Sequence, residues 1–190
     1  MTFVLALLRL AQPCLFGLAA ASLTYYGYHL IETASFQQHQ EAQFARLLAA
    51  PSPPDATPAA QGNLLGRLQI PRLNVSAMVV AGTGEQDLKL GVGHIAGTGL
   101  PGAPGNVGLA GHRDTFFRPL RNIRLQDRIR FTTLEGEFHY QVVATRIVPP
   151  SAVEVLTPGE GQALTLVTCY PFFVLGNAPD RFIVRAERIP

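Results

Sequence analysis

Cysteine is almost missing. The chain of 190 residues has two, Cys14 and Cys169, the first inside an apolar N-terminal run and the second near the end of the folded part. Sulfurs so placed argue against an intramolecular disulfide and leave Cys169 as a lone thiol whose reactivity has to be considered. Metal-ligand spacing is missing too. His94, His112 and Cys169 could be drawn as a zinc set, but no two stand at the short separations of structural zinc sites, and the scattered acidic residues form no calcium-loop pattern. No metal and no cofactor is expected. Net charge is small, +2, and there is no internal repeat. What remains suits one domain of ordinary size with an extension.

The extension is N-terminal. From Leu10 to Tyr28, LAQPCLFGLAAASLTYYGY, there is no charged residue. About 19 helical residues at 1.5 Å each span roughly 28 Å, close to a bilayer core. Tyr25, Tyr26 and Tyr28 gather at one end, as interfacial aromatics do. Residues 1–31 are therefore expected to form a single-pass anchor in the cell membrane. Arg9, the main basic flank, sets the N-terminus inside and the rest of the chain outside. The alternative is a cleaved signal peptide, for which LAAAS offers a small-residue processing site. Either reading exports the remainder of the chain, which makes nucleic acid an implausible partner. Cys14 is read as a lipid-facing small residue; Pro13 before it and the weak basic region upstream disfavour lipoprotein acylation.

Residues 32–48 hold no Gly or Pro and repeat Phe36, Phe44 and Leu47 at roughly helical spacing, so they read as a stalk continuing the anchor helix. Nine of the fifteen residues from 49 to 63 are Ala or Pro, a composition that buries no core and gives a semi-extended spacer. The organisation expected is anchor 1–31, stalk and spacer 32–61, and a folded domain 62–190. In that domain, alternation and β-branched residues predict strands at 64–70, 74–80, 106–111, 128–134, 137–148, 163–169 and 181–189. A short helix is expected at 84–90 and a further turn near 116–122. Many strands with few helices point to an all-β, closed or nearly closed barrel.

Three strand ends carry residues with chemistry. In LTLVTC (164–169), alternation sets Thr165, Val167 and Cys169 on one face and Leu164, Leu166 and Thr168 on the other. Eleven residues broken by Pro171, Gly176 and Pro179 then lead to RFIVRAERI. If those two strands pair antiparallel, Cys169 and Arg181 are cross-strand neighbours, about 5 Å apart at Cβ. A guanidinium there would favour a thiolate or donate to an oxyanion. In LAGHRDTFFRPL (109–120), His112 also leaves a strand. An ordinary thiol, ionising near pH 8.5, needs a partner at neutral pH, and a histidine can move protons for both halves of an acyl transfer. Each residue has a plainer reading alone: an inert small hydrophobe, a turn residue, a solvated arginine.

Taken together, TLVTC (165–169), AGHRDTFF (110–117) and the Cys–x11–Arg spacing to Arg181 resemble a sortase, one of the membrane-anchored cysteine transpeptidases of bacterial surfaces. GVGHIAGTGLPGAPGNVGLAGHRDTFFRPL and TCYPFFVLGNAPDRFIVRA are similar to the class D branch. The resemblance covers residues 62–190 and implies a sortase-like closed eight-stranded β-barrel. It implies that Cys169 attacks the Thr–Gly carbonyl of a C-terminal Leu-Pro-x-Thr-Gly-like sorting signal on a surface protein or pilin. An amine, from a peptidoglycan precursor or a pilin lysine, then resolves the thioacyl enzyme. It further implies His112 as general acid/base, Arg181 as the oxyanion or positioning arginine, and Thr168 as a lining residue.

Other residues compete for these roles. Asp114 would share the face of His112 if the strand ran on, giving a Cys–His–Asp triad, but a turn residue is preferred because Arg181 completes the site. His94, in a Gly-rich stretch read as a loop, is a substrate-contact candidate or a loop brace. Arg185 shares the strand face of Arg181 and is its rival. Six arginines between residues 113 and 130 read as a solvated face, with anionic lipid or wall polymer as the alternative. Two other outcomes stay open: a thiol peptidase that releases substrate to water, and a non-catalytic, membrane-tethered peptide-binding barrel.

Overall fold

A computed structural model of the chain describes residues 2–49, 64–159, 161–174 and 176–190, with side chains from residue 11 onward. The Ala/Pro-rich spacer, but for Ala49, lies outside the described residues. The chain forms two compact units, Met1–Phe36 and Gln37–Pro190.

Helix α1, Thr2–Ala49, begins in the first unit and ends in the second, so the expected anchor and stalk are one helix, with Pro13 inside it. Its first-unit portion exposes Leu15, Phe16, Leu18 and Leu23 as well as the three tyrosines. No helix among the described residues is long and apolar enough to cross a membrane. The run lacks charge, but Gln12, Ser22, Thr24, two glycines and the tyrosines dilute its apolar residues. In the second unit the end of α1 is docked on strands. Phe44 is buried with Leu64 and Met78. Gln37 accepts from the Met78 amide at 2.8 Å and donates to the Leu90 carbonyl at 2.6 Å, and Glu41 pairs with Arg67.

Eight strands close a barrel: β1 Leu64–Ile70, β2 Val75–Ala81, β3 Val92–His94, β4 Gly105–Ala110, β5 Arg128–Thr133, β6 Gly136–Val148, β7 Gln162–Tyr170 and β8 Asp180–Ile189. Around the barrel the order is β1-β2-β3-β4-β7-β8-β6-β5, with β5 returning to β1. Two pairs are parallel, β2 with β3 and β4 with β7; helix α2, Glu85–Leu90, makes the first crossover. Seven strands fall within a residue or two of their sequence positions. β3 is the eighth, three residues long, in the stretch expected to be a loop. Alternate residues fill the barrel, among them Leu68, Ile70, Leu109, Phe131, Tyr140, Leu164, Leu166 and Val184, each at most 1% exposed. The opposite residues of β4, β7 and β8 form the outer face on which the candidate site lies.

Candidate active site

On β7 the inward residues Leu164, Leu166 and Thr168 pair with Ala186, Val184 and Phe182 of β8; the outward residues Thr165, Val167 and Cys169 pair with Arg185, Ile183 and Arg181. Cys169 and Arg181 are thus direct cross-strand partners near the open end of the ladder. Both are half-buried, and the thiol is free. Burial of alternate residues fixes this register, because a one-residue slip would turn every leucine of β7 outward.

His112 comes to the same rim from the other side of β7. β4 runs parallel to β7 with Ala110 beside Val167. Beyond the last ladder pair the Gly111 amide donates to the Val167 carbonyl at 3.1 Å, and the buried Thr168 hydroxyl donates to the Gly111 carbonyl at 2.7 Å. Carried two residues past the last pair, Ala110↔Val167, the same register would set His112 level with Cys169. The His112 carbonyl accepts from the Phe117 amide at 3.1 Å, and Phe117 is buried beneath Gly111, where an added Cβ would lie 2.7 Å from the ring. Backbone on both sides of His112 is therefore held, while among the described residues no hydrogen bond fixes its imidazole. Glu85, in the first turn of α2, is an electrostatic neighbour. The hydrogen bond and charge of Lys89 chiefly hold the Glu85 carboxyl below its usual range, and His112 adds to that effect.

The other candidates are engaged elsewhere. Arg181 donates from Nη1 to the carbonyls of Ala178 and Asp180, at 3.3 and 3.0 Å, so its guanidinium lies over its own loop. Arg185 donates to Thr165 Oγ1 at 3.2 Å, four residues, or about 13 Å of strand, from Cys169. His94 is 8% exposed. Its Nε2 lies 2.9 Å from the Gly99 carbonyl and 3.1 Å from Thr98 Oγ1; a carbonyl only accepts, so Nε2 carries the hydrogen. Thr98 Oγ1 in turn donates to Ile95 and accepts from the Gly108 amide. The ring braces the β3–β4 loop. Asp114 is exposed, and its Oδ2 lies 3.6 Å from Nε of Arg113.

Sequence reasoning missed Arg113, which it placed in a solvated run. Arg113 is only 5% exposed and donates to the carbonyls of Pro171 at 2.8 Å, Val174 at 2.5 Å and Gly176 at 2.7 Å. A signal did exist: eleven residues without strand pattern between Cys169 and Arg181 carry carbonyls that need donors. The rest of the arginine run behaves differently. Arg121 lies over the exposed Phe173 ring, and Arg72 pairs with Asp127 beside a cleft of about 520 Å³ that Arg121 and Arg124 also line.

A family model described as "Sortase domain" matches residues 68–189. "Sortase D" of Bacillus subtilis (strain 168) is 40% identical over 129 residues, 67% of this chain and 65% of that protein, so the chain spans just under two thirds of that relative. Sortase C-1 from Actinomyces oris is 30% identical with a TM-score of 0.64, covering 80% of this chain and 83% of that one. A Clostridium perfringens "Sortase D5 transpeptidase" shares the fold with a TM-score of 0.69 at 24% identity, covering 82% of this chain and 99% of that one.

Proposed function

Because this chain belongs to the sortase family, we propose that it is a class D-like cysteine transpeptidase acting on an LPxTG-like sorting signal. Cys169 passes its thiol proton to His112 as Sγ adds to the Thr carbonyl carbon, and the carbonyl oxygen takes up negative charge. Arg181 leaves the Ala178 and Asp180 carbonyls and donates to that oxygen. The Thr–Gly C–N bond breaks as His112 gives a proton to the departing glycine nitrogen, leaving a thioester on Cys169. An amine on a peptidoglycan precursor or a pilin lysine then adds to the thioester carbonyl, His112 takes its proton, and the thiolate departs. Thr168 holds Gly111, and through it His112, in register; His94 braces the neighbouring loop.

The observation that carries this reading is the rim itself: Cys169 stands opposite Arg181 in the β7–β8 ladder, and His112 follows Gly111, which two hydrogen bonds tie to Val167 and Thr168 of β7. The test is a peptide bearing a sorting signal, incubated with and without a small primary amine. Mass spectrometry should find the acyl adduct on Cys169, and the amine should divert product from hydrolysis to the amide. Cys169→Ala should abolish both. Release to water alone, unchanged by the amine, would make the protein a thiol peptidase, and no adduct would leave a peptide-binding barrel.

We further propose that the first helix holds the protein at the cell membrane with the barrel on the outer side. Residues 1–31 would serve as anchor, 32–61 as stalk and spacer, and 62–190 as catalytic domain. Support comes from the large apolar side chains exposed around that helix, which hydrocarbon would cover favourably. Protease added to intact cells should degrade the barrel, and alkaline carbonate should leave the chain in the membrane pellet; recovery in the soluble fraction overturns the placement.

A further inference from the structure

The proposed chemistry uses three side chains and leaves unused a fourth that touches the same rim. Arg113 follows His112 directly, and its guanidinium is buried. Burying this cation is costly unless its N–H groups find acceptors. Its acceptors all come from one segment, 171–179, the connection whose two ends are Cys169 and Arg181. The described residues of that segment make no backbone–backbone hydrogen bond outside the strands. Instead two guanidiniums bind its carbonyls. Arg113 takes the carbonyls of Pro171, Val174 and Gly176, and Arg181 takes those of Ala178 and Asp180. Asp114 Oδ2, 3.6 Å from Nε, covers the remaining edge of the Arg113 fork.

The division matters for the proposed reaction. Arg181 holds the loop carbonyls through Nη1, so swinging its guanidinium, with Nη2 and Nε still to donate, toward an oxyanion would strain or release those bonds. Without Arg113, that motion would leave the loop with only the ring contacts of Phe172 and Phe173, free to shift Cys169 and Arg181 out of register. We infer that Arg113 is a positioning residue for the proposed transpeptidation: it keeps the Cys169–Arg181 connection fixed so that Arg181 can turn from loop to substrate. The inference rests on the roles proposed for Cys169, His112 and Arg181. It requires arginine in particular. Three carbonyls spread over six residues match a planar fork with separate Nη1 and Nη2 donors, whereas a lysine ammonium is one point of charge.

The test uses the full chain, single-turnover acylation of Cys169 by the sorting-signal peptide, and a double-mutant cycle. Arg113→Lys is expected to slow acylation by about 10²-fold with little change in peptide KM, as for a small misplacement of reacting groups. In an Arg181→Ala background the same change should cost less than about threefold, because the motion it supports is gone. Asp114→Asn, at an exposed side chain, should give a smaller loss, about threefold, without lowering the melting temperature; it serves if Arg113→Lys fails to fold. Equal fold-losses in both backgrounds would make Arg113 a purely structural residue, and wild-type acylation rates in folded Arg113→Lys or in Asp114→Asn overturn the inference. Failure of the parent chain to acylate would instead overturn the reading it rests on. Hydrogen exchange at the β7–β8 ladder ends that flank the loop, residues 167–170 and 180–183, still decides the holding role in that case, with faster exchange expected in either variant and unchanged exchange counting against it.

Discussion

His94 and His112 leave neighbouring strands, β3 and β4, and each follows a glycine, in VGHIAG and LAGHRD. The ring of His94 is 8% exposed and turned into its own loop, tied to Gly99 and Thr98. The ring of His112 is half-buried and unheld, while its backbone is locked through Gly111, Val167 and Phe117. One strand exit ties its histidine into the loop; the other fixes the backbone and leaves the imidazole without a hydrogen bond among the described residues. Local sequence is nearly the same at both sites. The difference comes from which strand lies alongside: β7, which ends on Cys169, runs beside β4.

His112→Ala should give the largest effect, a fall in acylation of about 10²–10⁴-fold, the range for losing a general acid/base, with little change in unfolding midpoint. His94→Ala should do the reverse. It removes hydrogen bonds from a buried ring and leaves acceptors unmet, at a cost of about 2 kcal/mol in chemical denaturation, while acylation per folded molecule falls far less than in His112→Ala. Equal activity losses in the two variants, normalised to folded protein, would break the comparison and return His94 to the substrate.

The sequence carried the period-2 signal of seven strands because each is long enough to show alternation against the core. β3 was invisible for the opposite reason. Three residues, Val92, Gly93 and His94, cannot display a period, and the strand exists because β2 and β4 supply partners on both sides. The Cys169–Arg181 pairing was legible as a consequence of antiparallel register, since an uninterrupted ladder on both sides of a loop leaves its ends opposed. Arg113 was not. Nothing in a run of six arginines says which one turns inward, and that choice depends on the path of a loop without period. The N-terminal helix was legible in its helicity.

A smaller effect sharpens the comparison by defining where it can be made. Activity in acid is interpretable only where the barrel keeps its stability, and its buried acid-sensitive carboxyl, Asp127, is paired with Arg72 rather than with either histidine. Asp127 is buried. Its carboxylate accepts from Arg72 Nε, from Arg72 Nη2 at 2.6 Å and from the Arg124 amide at 2.8 Å. The Arg72 hydrogen bond, aided by that amide and both arginine charges, holds the Asp127 carboxyl below its ordinary range despite burial. A carboxyl depressed in the folded state adds stability in full above the unfolded value, about 3.9, and loses it as pH falls through the lower native value. Between pH 5 and pH 8 its contribution should be constant, so pH-dependent differences between His94 and His112 variants there owe nothing to Asp127. Urea unfolding of the parent and of Asp127→Asn should show a stability gap that is steady across that interval and narrows below pH 4. A gap that instead narrows between pH 7 and pH 5 would move the acid-sensitive element elsewhere and confound the histidine comparison in the interval where it is cleanest.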